Sequence, residues 1–224
     1  ICEICDFLQT ETPYWLDEAY VRPLTLQDTG CLQRNIHLCR ALSLTLNKAH
    51  LNGGRFLDYA AGYGVLTRLM RDVGFDYYWN DPYAENLFAS GFEESLKGSF
   101  TAISAFEVIE HWAEPLQEIQ KLFNHTQIVF LSTEIRPMKI PLRDWMYYGF
   151  DHGQHVGLFS TMSLSRIAQI IGATLLSDHH SFHVLSKHKG VKMSKTSGAL
   201  ARIQFEFLRH RMKSLTQIDS LSYA

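Results

Sequence analysis

Asp58-Tyr59-Ala60-Ala61-Gly62-Tyr63-Gly64 places a carboxylate directly ahead of a run of small residues. Arg55-Phe56-Leu57-Asp58-Tyr59 reads as a short buried strand leading into it, and a helical stripe of Leu66, Leu69, Met70 and Val73 follows. Strand, small-residue turn and helix make a ligand-binding corner. A phosphate loop needs Gly-Lys-Ser/Thr before its helix, and Val65 and Leu66 follow Gly64 instead. The dinucleotide pattern G-x-G-x-x-G fails as well, because Thr67 stands where its third glycine belongs. Asp58 would repel a pyrophosphate and suits a cationic ligand. A second acid, Asp81, lies 23 positions on, directly after a second strand over 77–80. From there a carboxylate can accept hydrogen bonds from both hydroxyls of a ribose. S-adenosylmethionine carries an ammonium, a sulfonium and a ribose but no phosphate. It is the ligand these two acids select, with Asp58 near the ammonium and Gly62 and Gly64 admitting the backbone. As a helix cap and a turn acid, the pair would have no such role.

A weak nucleophile such as a hydroxyl gains from a base that takes its proton. The long segment after the fifth strand carries Asp151, His152 and His155. Loops at the carboxyl ends of strands face the ligand crevice. His155 is therefore the first candidate for general base and His152 the second; alternatively, both only shape the loop. His111 follows Glu110 after the fourth strand and is expected mainly to order that turn; alternatively, it borders the substrate pocket. Arg34 can reach a cofactor carboxylate if its helix covers the pocket, or it lies on the surface. Tyr14, Trp15 and Tyr20 can form an aromatic lid or pack as core. His179, His180 and His183 read as solvated. Cys2 and Cys5 form a C-x-x-C pair without a second pair to complete a zinc set, so no metal is expected.

These residues need a framework. The chain has 224 residues, 46% hydrophobic and 20% charged, with a net charge of −2. That fits one globular domain with modest appendages and offers no basic footprint for nucleic acid. No apolar run approaches a membrane span, no secretory signal is visible, and four cysteines do not suggest a disulfide scaffold. A cytoplasmic protein is expected. A helix is expected over 27–47, with Asp28 and Thr29 as caps and Leu32, Ile36, Cys39, Leu42 and Leu46 on its apolar face. Further strands are expected near 89–92, 100–106, 127–132, 174–176 and 182–186, with helices over 115–123 and 163–171. Alternation of strand and helix implies an α/β domain with a mostly parallel sheet. A basic stretch from about Gly190 carries a helical run over 199–212, a docked helix or a tail.

LDYAAGYG resembles the D-x-G-x-G-x-G strand-one motif of the class I S-adenosylmethionine-dependent methyltransferases, with Ala60 for its first glycine. WNDP is similar to that family's strand-two acid, and FTAISAFEVIEHWAEP resembles the fourth-strand segment of its small-molecule members, ubiquinone-type O-methyltransferases among them. PYWLDEAY, DTGCLQRN and DHGQHVGLFS look like a subgroup whose members act on sugars and glycans. The resemblance covers roughly residues 27 to 187. It implies a Rossmann-like doubly wound sheet of about seven strands with the last antiparallel, and an amino-terminal helical extension. It divides the chain into an extension with a lid helix (1–50), a cofactor-binding domain (51–189) and a basic carboxy-terminal helix or tail (190–224). It implies S-adenosylmethionine as cofactor, held by Asp58, Tyr59, Ala60, Gly62, Gly64, Asp81, Pro82, Phe106, Glu107 and Arg34. The implied activity is O-methylation of a saccharide or another small-molecule hydroxyl. A quinone or phenol O-methyltransferase and an inactive binding protein on the same fold are the alternatives.

Overall fold

The computed structural model describes residues 1–19 and 28–221. Tyr20 of the expected aromatic lid lies outside them. Elements follow in chain order: β1 (Leu8–Gln9), α1 (Leu16–Ala19), α2 (Cys31–Lys48), β2 (Arg55–Tyr59), α3 (Val65–Val73), β3 (Asp76–Asn80), β4 (Ala102–Phe106), α4 (Pro115–Phe123), β5 (Ile128–Ser132), β6 (Gly157–Leu158), α5 (Thr161–Ile171), β7 (Thr174–Ser177), β8 (Phe182–Ser186), α6 (Gly198–Arg211) and α7 (Thr216–Leu221).

Six strands form one sheet in the order β3-β2-β4-β5-β8-β7. β3, β2, β4 and β5 run parallel, and β8 is antiparallel to both its neighbours. The α/β class and the antiparallel closing strand are as expected. The strand expected near 89–92 is reduced to a parallel bridge between Trp79 and Glu93 on the β3 edge. Ser90 and Gly91 interrupt that stretch with turn residues, which leaves too little chain for a ladder.

The pleat sorts the core. Phe56, Ala102, Ile128, Phe130 and Val184 face one side, with Leu42 and Leu46 of α2, Met70 of α3 and Phe205 of α6. Leu57, Ile103, Val129, Leu131 and Leu185 face the other, with Ile119 and Leu122 of α4 and Leu164 and Ile167 of α5. Both faces of the parallel strands are thus covered, which such strands require.

α2 starts later than expected, at Cys31. Neither Asp28 nor Thr29 caps it: Gly30 is the N-cap, and Asp28 accepts from the Arg34 guanidinium at 2.6 Å. Its buried positions begin at Leu38, while Leu32 and Ile36 are exposed. The first half of the helix overhangs the sheet's carboxyl edge. The carboxy-terminal stretch is docked. α6 buries Ala201, Phe205 and Leu208 in the core, and α7, which the sequence did not announce, brings Asp219 to Arg71 and Arg68 at 2.8 Å. At the other end, β1 pairs antiparallel with β6, and buried Arg136 donates to the Asp6 carbonyl at 3.0 Å. Among the described residues, no helix is long and apolar enough to cross a membrane.

Candidate active site

A cavity of about 1720 Å³ opens at the carboxyl ends of β2, β3, β4 and β5. Its floor is the turn between β2 and α3. Here the backbone folds back on itself: Ala60, Gly62 and Gly64 all have positive φ, at 56°, 54° and 86°. Glycine takes that conformation freely, whereas an L side chain strains by roughly 1–2 kcal/mol. Ala60 is therefore more than a small-for-small exchange. A Cβ on Gly62 would meet nothing within 4 Å, so its Cα faces open space. A Cβ on Gly64 would lie 2.6 Å from the Asn86 side chain.

Asp81 sits one residue beyond β3 and binds this turn. One carboxylate oxygen accepts from the Gly62 amide at 2.8 Å, and the other from the amides of Tyr83 and Ala84 at 2.8 and 3.0 Å. A carboxylate has about four acceptor positions, so one remains for a ligand hydroxyl. Asp58 is 2% exposed and accepts from the hydroxyls of Thr67 at 3.1 Å and Ser104 at 2.9 Å. Burial raises its carboxyl to about 7, and the charge of Asp81 adds to the rise. A buried carboxyl raised in this way gains from a cationic ligand.

Across the floor, Glu107 also has a positive φ, 53°, immediately past β4. Its carboxylate accepts from Ser132 Oγ at 2.7 Å and pairs with Arg34 Nε at 3.1 Å. Arg34, expected at a cofactor carboxylate, is thus held between Glu107 and Asp28 at the cavity wall. Tyr59, Pro82 and Phe106 line the same space. Tyr59 Oη receives a hydrogen bond from Lys121 at 3.0 Å and donates to Glu118 at 3.1 Å.

The far end of the cavity holds the histidines. His155 Nδ1 donates to the Tyr147 carbonyl at 2.6 Å, and His111 Nδ1 to the Gln154 carbonyl at 3.1 Å. The Tyr147 carbonyl fixes the tautomer of His155 and places its lone pair on Nε2. His152 is arranged oppositely. Its Nδ1 accepts from the Gln154 amide at 3.1 Å, which leaves the proton on Nε2. Burial lowers His155 to about 4 and His111 to about 3, so both rings are neutral near pH 7. Glu110 is fully buried, and burial, then the charge of Glu107, raises its carboxyl to about 8. Tyr147 donates to Glu110 Oε1 at 2.8 Å.

His111 and Glu110 therefore belong to the cavity, where sequence reasoning had assigned His111 mainly to its turn and had given Glu110 no part. Their signal is an acid, an acid and an imidazole at positions 107, 110 and 111, just past a strand. Tyr147 had no signal. His183 is buried rather than solvated, bonded to Ser177 Oγ at 2.8 Å and the Thr133 carbonyl at 3.1 Å. Trp15 donates to the Gly153 carbonyl at 2.7 Å, which ties the amino-terminal leader to the histidine loop, while Tyr14 is exposed.

The comparisons agree with this geometry. A family model described as a methyltransferase domain matches residues 32–178, most of the chain. The chain belongs to the methyltransferase-domain family. Its sheet, with the closing strand antiparallel, is the one that the resemblance to class I methyltransferases implies. The open space beside the Gly62 Cα and the two acids fit S-adenosylmethionine, the cofactor that resemblance implies. Among solved structures it is similar to TnmH, with a TM-score of 0.52 and 12% identity over 72% of this chain and 57% of TnmH. It thus spans a little over half of TnmH, and at that identity the likeness is one of fold. An O-methyltransferase family 2 protein from Planctomyces limnophilus in complex with apigenin scores 0.49 at 12% identity, covering 76% of this chain and 65% of the other. Magnesium protoporphyrin IX methyltransferase from Synechocystis scores 0.46 at 14%, covering 77% and 94%. No curated protein matches the sequence.

Proposed function

We propose that this methyltransferase transfers a methyl group to a hydroxyl oxygen of a small molecule, a saccharide being the acceptor class that fits best. The observation that carries the reading is the shared cavity: the glycine turn lies at one end and the Nε2 lone pair of His155 at the other. Bound S-adenosylmethionine supplies an electrophilic methyl on sulfur. Asp58, Asp81 and the turn backbone hold and orient it. His155 Nε2 takes the acceptor proton as the new C–O bond forms, a contribution of roughly 10²–10⁴-fold in rate. His152, whose Nε2 carries a proton, serves as a donor to the acceptor rather than as a base. A polar acceptor is supported by Glu110, Glu134 and Tyr147, polar groups set among an otherwise largely apolar lining. Four free thiols support a reducing, cytoplasmic setting.

The test is incubation with labelled S-adenosylmethionine and a panel of saccharides, nucleotide sugars and phenols. Label on a saccharide hydroxyl is the expected outcome. Transfer confined to nitrogen or carbon acceptors would sink the reading. Transfer to phenols alone would move the acceptor class, because a phenol ionises without a strong base.

A further inference from the structure

We propose that Glu110, His111 and His155 bind one divalent cation of the Zn²⁺ or Mn²⁺ type at the acceptor end of the cavity. The purpose given to the cation rests on the hydroxyl-methylation reading above; the site itself rests on geometry. One ligand atom from each of the three side chains lies within 4.8 Å of the others. They come from two distant segments, the turn after β4 and the loop after β5, and converge on the cavity wall.

Two further observations point to a ligand there. Glu110 Oε2 is buried and has no hydrogen-bond partner among the described residues. A buried carboxylate oxygen is normally paired, because leaving it unsatisfied is unfavourable. The tautomer of His155 is the second observation. His155 gives its Nδ1–H to the Tyr147 carbonyl, the arrangement that presents Nε2 to a metal. Tyr147 links the set. Its hydroxyl holds Glu110 Oε1, its carbonyl holds His155, and its oxygen is itself fixed by Thr133 Oγ1 and the Glu134 amide at 2.9 Å.

Two imidazoles and one carboxylate select the metal class. Mg²⁺ and Ca²⁺ prefer all-oxygen shells, whereas imidazole suits Zn²⁺ and its neighbours. Three protein ligands leave a position open, as catalytic rather than structural zinc sites do. Metal–nitrogen bonds of about 2.0–2.1 Å would draw the ligand atoms together by roughly an ångström, within reach of side-chain adjustment. An acceptor hydroxyl at the open position becomes more acidic. Its proton then passes to water, the S–CH₃ bond breaks as the O–CH₃ bond forms, and the cofactor leaves as S-adenosylhomocysteine. His155 is in that case a ligand, and the cation takes over the work of the base.

The full chain, stripped with a chelator and dialysed, is titrated with Zn²⁺, Mn²⁺ and Mg²⁺, with S-adenosylmethionine binding measured alongside. We expect one equivalent of Zn²⁺ or Mn²⁺ to bind, with Mg²⁺ weaker. Glu110→Gln keeps the side-chain volume and should weaken cation binding about 100-fold or more, at least as much as loss of an outer partner does, while cofactor binding persists. Wild-type protein that binds no stoichiometric cation, or Glu110→Gln binding as tightly as wild type, overturns the site. So does methyl transfer undiminished by chelator, an outcome that leaves the O-methylation reading intact. A bound cation with no transfer to any hydroxyl supports the site and overturns that reading instead.

Discussion

At the scale of single residues, burial decides chemistry. Asp58 and His155 are ordinary titratable groups in sequence and unusual ones in place. The buried Asp58 carboxyl stands at about 7, above its unfolded value of about 3.9. A raised carboxyl contributes stability that is fully present below the unfolded value and is lost as pH rises through 7. Asp58→Asn removes that dependence. The variant's stability relative to wild type should therefore grow between pH 4 and pH 8, by an amount on the order of a few kcal/mol. Urea unfolding across that range checks it, and a constant difference would refute the buried-acid account. The same variant should bind S-adenosylmethionine more weakly at pH 8, where wild type carries the charge. For the histidines, the direction of each Nδ1 hydrogen bond separates two residues that sequence could only rank. His155→Ala should lower kcat by roughly 10²–10⁴-fold with cofactor affinity unchanged. His152→Ala should lower it less than about tenfold, because its neutral ring offers the cavity a proton rather than a lone pair. Equal losses in the two variants would contradict that assignment.

At the scale of elements, the strand-to-helix turn and the end of β4 carry strain where ligand must approach. Ala60 and Glu107 hold positive φ without being glycine, and such positions persist only where their surroundings dictate them. Ala60→Gly should be neutral or stabilising by up to about 1 kcal/mol, since relief of the left-handed strain exceeds the added unfolded-state entropy. Gly64→Ala should do the opposite. Its φ of 86° and the 2.6 Å approach of its Cβ to Asn86 predict a loss of about 2 kcal/mol or more, together with weaker cofactor binding. Thermal melts with and without S-adenosylmethionine measure both. The β2 strand, the α3 stripe and α4 were readable because each has local periodicity or a marked end, Gly74 after α3 and Pro115 as the first residue of α4. The late start of α2 was not readable. Asp28 had the composition of a cap, but Arg34 claims its carboxylate.

At the scale of the whole molecule, the two chain ends close the fold. The buried pair of Arg71 and Asp219 spans 148 positions and fastens α7 to α3 and β3. Asp219→Asn strands part of a buried guanidinium charge, which Asp76 compensates only in part, and should destabilise by about 3 kcal/mol. Truncation before α7 should lower the melting temperature similarly, and no change in either variant would show that α7 is not a structural clasp. From residues alone came the α/β class, the glycine turn after β2, the acid after β3 and the irregular loop that carries His155. All of these are written in local pattern: alternation, helical period, glycine spacing and acids at strand ends. The cluster of Glu110, His111 and His155 came only from the tertiary structure. Glu110 and His111 are neighbours in sequence, but His155 is 44 positions away across a strand, a helix and an irregular loop. Which ring nitrogen faces the cavity depends on carbonyls of Tyr147 and Gln154 that no residue type reveals. Local pattern specifies which elements form. Only their packing brings distant donors together and fixes their direction.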